Sequence, residues 1–380
     1  MSIKWLILYC VAALAVLLTD GRRVYDRGRE LEEPRSFVFR LRLQTFLYPL
    51  LFLAFGMLCA TRLQENTYDT LVYVNWYERI SALPFWQRDG FYGPGFELLG
   101  KICGVWLKAD VKVFFFLVAE VHILLAWLAF RDTVVPGNYG FILYLAFLGL
   151  YYSFIVLRQG LAVCCAVLAY RRMDTSKWKA LLLAALGYLF HESALVAMAV
   201  VLVFGGGRVL RLSRRGAWAA LILAAVMYLT GATERFIIPV LQRLLELFNL
   251  VDAGTFHKYI LYFEPDQFQQ DLSLLYLLYF AVTGGIIDLV WKYEGWQDWL
   301  RRWGMLLAVN LTGLLFLGFF SRISASVRVM EIMTPATYAF LIPAALENLH
   351  KRDRTLILCG LFAFLTFYQL RIILGPTSFY

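Results

Sequence analysis

The sequence predicts an all-α polytopic membrane protein of about 12 transmembrane helices, with interfacial or re-entrant helices on its outer side. Three observations lead there. The 380 residues are 61% hydrophobic and only 17% charged, whereas a soluble domain carries about 25% charged residues. Apolar runs approaching the ~20 residues that cross a hydrocarbon core as helix recur from end to end. Lys and Arg gather in short loops between alternate runs, with 22 of the 36 on one side, although the other side has the longest loops. The positive-inside rule makes that first side cytoplasmic and turns both termini outward. No segment is long enough for an independent soluble domain, so residues 1–380 read as one transmembrane domain. Outer loops near 62–110 and 231–271 form its exterior face.

Taken in order, the spans fall near 3–19, 44–61, 111–130, 138–156, 159–171, 178–190, 193–204, 216–230, 272–291, 302–320, 329–346 and 354–373. The first run lacks a basic start beyond Lys4 and a small-residue cleavage site, so it reads as a span and not as a signal peptide. In the first outer loop, Tyr73, Trp76, Tyr77 and Ile80 follow helical spacing with Asp69 one turn earlier, which predicts a helix in the outer interface. After Gly93-Pro94-Gly95 a shorter run to Leu107, carrying Glu97 and Lys101, reads as a re-entrant or interfacial helix. The stretch 234–250 has a stripe of Phe236, Val240, Leu244, Leu247 and Phe248 opposite Gln242, Arg243 and Glu246, again an interfacial helix.

The segment from Lys177 to Phe204 has four basic residues on each flank. A single span would export one cluster; a hairpin of two short arms, bent at Phe190-His191-Glu192-Ser193, keeps both inside. Each arm is shorter than the bilayer core, which sinks the bend below the outer surface. Similar bends occur at Leu157-Arg158-Gln159-Gly160 and at 321–328. These three outward apices carry Arg158, His191, Arg322 and Arg328, cations on the side where the rule disfavours them.

The net charge of +9 belongs to cytoplasmic loops and does not point to nucleic acid. The six cysteines lie mostly inside apolar runs without a CxxC spacing, so neither a metal site nor a disulfide framework is indicated; Cys164 and Cys165 read as packing residues. No cofactor is expected.

Ionised side chains at membrane depth are paired or functional. Two or three arginines with one histidine suit an anionic lipid headgroup, because a guanidinium grips phosphate in a bidentate manner and stays charged. If that phosphate is a leaving group, the arginines stabilise its growing charge. Histidine can take a proton from an attacking hydroxyl or steady a leaving oxygen. Asp69, Glu97 and Glu192 are candidate partners for sugar hydroxyls or an acceptor proton. Structural roles stay open beside these: His191 held to backbone, Arg328 neutralised by Glu331 three residues on, Arg322 snorkelling to headgroups.

Leu157-Arg158-Gln159-Gly160-Leu161-Ala162 followed by Phe190-His191-Glu192-Ser193-Ala194-Leu195 resembles the paired signatures of the EpsG family, Wzy-like polymerases of bacterial polysaccharides. Tyr68-Asp69 with Tyr73, then Gly93-Pro94-Gly95-Phe96-Glu97-Leu98-Leu99, is similar to that family's first outer loop, and Arg328 to an arginine before a late span. The family's acid precedes the Pro-Gly pair, where this chain has Gly93; Glu97 comes just after. The resemblance implies a GT-C-like glycosyltransferase of the bacterial inner membrane that polymerises polyprenyl-pyrophosphate-linked repeat units at its outer face. His191, Arg158 and Arg328 would be catalytic, and Arg322, Asp69, Tyr73, Glu97, Glu192 and Gln159 would bind substrate. Donor and acceptor glycans on lipid carriers, membrane lipid and a chain-length regulator are the implied partners. A polysaccharide ligase, a single-sugar GT-C transferase and a lipid-linked-sugar flippase are the alternatives. A lone Asp69 in place of an acidic pair counts against the second, and basic groups confined to one leaflet count against the third.

Overall fold

The computed structural model describes residues 3–26, 34–62, 68–131, 139–205, 212–231, 239–240, 243, 274–292, 295–320, 324–347, 349 and 351–374. Among them every regular element is helical and no strand occurs. Two compact units result: residues 1–202 with 346–380, and residues 203–345.

In the first unit, α1 (Ile3–Asp26) and α2 (Pro34–Ala60) are followed by α3 (Tyr68–Ala82) and α4 (Pro94–Lys101), which runs into a π turn, Ile102–Trp106. Next come α5 (Val111–Phe130), α6 (Tyr139–Tyr144), a second π turn (Leu145–Gly149), α7 (Leu150–Phe154), α8 (Leu157–Arg172), α9 (Lys177–Tyr188) and α10 (Ala194–Phe204). The last helix of this unit, Lys351–Leu374, returns to it, and its Gln369 Oε1 accepts from the Tyr151 amide at 3.0 Å. Helix α5 starts where Asp110 accepts from the Val113 amide at 3.0 Å, satisfying one of the amides a helix start leaves open. It ends where Arg171 donates to the carbonyls of Ala129 and Arg131, a cation placed on the negative end of the helix dipole.

Side-chain contacts fix the directions. Tyr48 meets Trp127, and Phe55 meets His122, so α2 and α5 are antiparallel. Tyr144 Oη lies 3.4 Å from Cys164 Sγ, while a Cβ on Gly160 would touch Tyr152, so α8 doubles back along α6 and α7. Lys177 Nζ donates to Leu202 O at 3.0 Å, so α9 and α10 form the expected hairpin. Everything described that turns at 68–110, 155–157 and 189–193 therefore gathers at one end of the unit, and Arg131, Arg171 and Lys177 at the other.

The second unit contains α11 (Arg214–Thr230), α12 (Leu274–Trp291), α13 (Trp296–Phe319) and α14 (Ser324–Ala345). Number the returning helix Lys351–Leu374 of the first unit α15. Because apolar helices have no hydrophobic reason to adhere inside lipid, polar contacts matter there. Here Thr283 Oγ1 lies 2.9 Å from both Asn310 Oδ1 and Tyr338 Oη, and Asn310 Nδ2 donates to Thr337 Oγ1 at 3.0 Å. One buried clasp thus ties α12, α13 and α14.

Three described helices are long and apolar enough to cross a membrane: Val111–Phe130, Trp296–Phe319 and Arg352–Arg371. Shorter apolar helices accompany them at Ile3–Leu18, Thr45–Ala60, Tyr139–Phe154, Ala194–Phe204 and Tyr276–Trp291. This is the build of a membrane protein.

Candidate functional site

The break between α7 and α8 sets the position of Arg158. The chain leaves helical geometry at Ile155 (φ −110°, ψ −62°) and Val156 (φ −113°, ψ 63°), then restarts at Leu157. Gly160 lets the two arms close: a Cβ there would lie 2.6 Å from Tyr152 Cβ and 3.1 Å from His122 Nε2. Arg158 consequently sits in the first turn of α8, half-buried, its Cζ 4.0 Å from the centre of the Tyr92 ring. Its Nε is buried and has no hydrogen-bond partner among the described residues. A cation at the positive end of a helix dipole with an unsatisfied donor is a place that favours an anion. Gln159, beside it, is buried.

At the α9–α10 bend, His191 is buried, with its amide bonded to Gly187 O at 3.0 Å. The Ser193 amide donates to His191 Nδ1 at 3.1 Å, and Ser193 Oγ lies 2.8 Å from the same nitrogen. Since a backbone N–H can only donate, Nδ1 is the acceptor and the neutral ring carries its proton on Nε2. The donor of the ring is therefore Nε2–H. Glu192, next to it, is exposed.

The first outer loop folds over this end as a packed cap. In α3, Tyr73, Trp76, Tyr77 and Ile80 are buried, and their stripe meets protein: Trp76 stacks on Phe96 at 5.1 Å and Tyr77 on Phe114 at 4.7 Å. The aromatic rings of α4 and α5 supply the apolar surface that the sequence reading assigned to the lipid interface. Tyr73 also contacts Tyr92, ring centres 5.6 Å apart, and Asp69 is half-buried in the first turn of α3. Burial pushes the Tyr92 phenol well up; Tyr73 and Asp69 raise it further, while Arg158 and Arg79 pull it down. Tyr92, Tyr73, Asp69, Arg79 and Arg158 thus share one electrostatic neighbourhood.

Glu97 is buried and fully engaged: it accepts from Arg88 Nε at 3.0 Å and from the Gly90 amide at 2.7 Å. With the Arg79–Asp89 pair at 2.8 Å, this fixes the loop 84–92. The loop then docks on the histidine bend. Gly95 N donates to Leu189 O at 2.9 Å, and a Cβ on Gly93 would stand 2.5 Å from that same oxygen. The Gly-Pro-Gly run is needed for this approach, which joins the cap to His191.

Arg328 lies in the second unit, exposed near the start of α14. Arg322 falls outside the described residues, as does nearly all of the predicted interfacial helix 234–250 and the loop 231–271. The structure therefore brings together Arg158, Gln159, His191, Asp69, Tyr73 and Glu97 at one end of the first unit. Among the described residues there is no His, Cys, Asp or Glu group able to hold a metal ion.

Sequence reasoning missed Tyr92 and Ser193. Ser193 was readable from its place two residues after the histidine. Tyr92 was not, because its place in the site comes from contact with Arg158 of α8, far along the chain.

An all-helical membrane protein with Arg158 and His191 at the same end of its first unit is the class these observations define. The chain belongs to the EpsG family, whose sequence model matches residues 45–379, nearly its whole length. That family is one of exopolysaccharide biosynthesis and is polymerase-like. Comparison with curated proteins and with solved structures gives no match.

Proposed function

We propose that the protein is a Wzy-like polymerase, transferring a glycan from a polyprenyl-pyrophosphate carrier to a second lipid-linked repeat unit at the outer face of the bacterial inner membrane. In this reading the twelve predicted spans form a GT-C-like bundle, and the cap end of the first unit faces outward. The observation that carries it is Arg158: a half-buried guanidinium at a helix start, stacked on Tyr92 and holding an unsatisfied Nε. A diphosphate supplies the charge and acceptors that such a group needs.

A hydroxyl of the acceptor sugar attacks the anomeric carbon of the donor glycan; the new C–O bond forms as the bond to the diphosphate breaks. Arg158 stabilises the charge building on the departing polyprenyl diphosphate. His191, whose proton sits on Nε2, donates to an oxygen of the leaving group, and Gln159, the next residue of α8, belongs with the substrate-binding set. Asp69 accepts the acceptor's proton. Tyr73, with the exposed Glu192 at the bend, lines the acceptor side, while Glu97 acts through the loop it holds. For Arg328 and Arg322 the family resemblance alone supports a role on the donor. A chain-length regulator is the proposed protein partner.

Purified protein in lipid vesicles, supplied with lipid-linked repeat units, tests this. Glycan should lengthen without lipid crossing the membrane, and Arg158→Ala should abolish lengthening. Full-length polymer from Arg158→Ala, or lipid crossing without lengthening, would overturn the reading.

A further inference from the structure

A second guanidinium sits at this end of the unit, just beyond α2, and its bonding is incomplete. Arg62 is 7% exposed. Its Nε donates to Cys59 O and its Nη1 to Phe154 O, both at 3.0 Å, and its Cζ lies 3.7 Å over the Phe115 ring. Nη2, with two further N–H groups, is buried without a hydrogen-bond partner among the described residues. Buried donors are almost always satisfied, and a buried charge left without a counter-charge is costly. Two carbonyls and a ring face are a partial solution.

The surroundings of Arg62 lead to Arg158. Phe154, whose carbonyl Arg62 grips, is the last residue of α7, and the break that follows positions Arg158. Thr70 Oγ1 approaches the same carbonyl at 3.4 Å, tying the start of α3 to it. Burial lowers the Arg62 guanidinium to about 10, with Cys59 and then Tyr73 pulling it back up, so it is cationic at neutral pH. Tyr73 packs on Tyr92, and Tyr92 carries Arg158 on its face. Two arginines therefore flank one pair of tyrosines.

We infer that Arg62 is a second anion-binding arginine of the site, its Nη2 donating to the same diphosphate that Arg158 holds. The inference rests on the polymerase reading for the nature of the anion, but not for its charge. A diphosphate has two phosphoryl groups, with oxygens enough for the Arg158 guanidinium and for the one open nitrogen of Arg62. Only the Nη2 side can serve the ligand, because Nε and Nη1 are committed to the ends of α2 and α7.

The test uses the full chain in nanodiscs, with inorganic pyrophosphate and a polyprenyl pyrophosphate as separate probes. Thermal stability is recorded for each variant. Arg62→Gln should weaken binding by about tenfold or more, as expected for loss of a charged hydrogen bond. Weakening toward both probes assigns the contact to the diphosphate itself; weakening toward the lipid alone assigns it to the membrane-anchored donor. Either supports the inference. Should Arg62→Gln unfold, Arg62→Lys keeps the charge but cannot bond Cys59 O, Phe154 O and the ligand from one planar group, and a severalfold loss of affinity is expected. Unchanged affinity in a folded Arg62 variant, alongside lost binding in Arg158→Ala, overturns the role of Arg62 and leaves the polymerase reading standing. Unchanged affinity in both variants overturns both.

Discussion

Gly93→Ala isolates the docking of the cap on the histidine bend. The backbone at Gly93 (φ −61°, ψ 149°) is open to any residue, so the substitution brings no conformational strain of its own. What it brings is a contact. The new Cβ would lie 2.5 Å from Leu189 O and 3.1 Å from Phe190 O, and ordinary contact begins at 3.4 Å. Both neighbours are backbone and cannot rotate away, so cap and bend must part by about 0.9 Å. That stretches the 2.9 Å bond from Gly95 N to Leu189 O past useful length. Overpacking of this kind costs about 1–3 kcal/mol, and the lost hydrogen bond about 1 more. In a catalytic site a misplacement near 1 Å can lower the rate by about 100-fold. The assay is thermal unfolding of the purified protein together with glycan chain length from lipid-linked repeat units. Gly90→Ala is the control. It has open space around it but φ +74°, so it costs about 1 kcal/mol of backbone strain and displaces nothing. Wild-type stability and chain length in Gly93→Ala, or equal damage from Gly90→Ala, would refute the reasoning.

Further substitutions separate the other roles. His191→Gln can still donate through its amide and should retain more polymerisation than His191→Ala; equal loss in both would mean that the ring works by accepting a proton. Glu97→Gln keeps an acceptor for the Gly90 amide and should lower stability by about 1 kcal/mol, whereas Glu97→Ala orphans that amide and should cost about 1–3 kcal/mol in denaturation. Asn310→Ala strips the buried clasp of the second unit and should lower its melting temperature measurably, since Thr283 and Thr337 each lose one of their partners. Trp76→Ala empties the centre of the cap and should cost about 3–5 kcal/mol, seen as early protease cleavage in the first outer loop.

The helices themselves were legible because a bilayer imposes length and apolarity on each crossing. The hairpin at His191 followed from charge alone: exporting four basic residues is worse than two short arms, and Lys177 meeting Leu202 O shows the second arm returning to the start of the first. Arg158 and His191 stood out as cations where the positive-inside rule forbids them. What lay beyond sequence was the cap. The stripe of α3 has the same periodicity whether it faces lipid or protein, and only the rings of Phe96 and Phe114 decide. Glu97 reads as a reactive acid until Arg88 and Gly90, in an irregular loop, are seen to occupy it. The Gly-Pro-Gly run signals a turn, and nothing local reveals that its purpose is contact with Leu189. Arg62 reads as an ordinary flanking cation, since its burial depends on α5 and α7.

The proposed account stands on the cap end of the first unit facing the cell exterior, and single-cysteine labelling measures this directly. The native cysteines are buried or half-buried, so their background reaction with a membrane-impermeant maleimide is low. Glu192→Cys, at the exposed tip of the histidine bend, should label in intact cells. Thr175→Cys, exposed at the opposite end between α8 and α9, should label only after the membrane is opened. The reverse pattern would contradict the account.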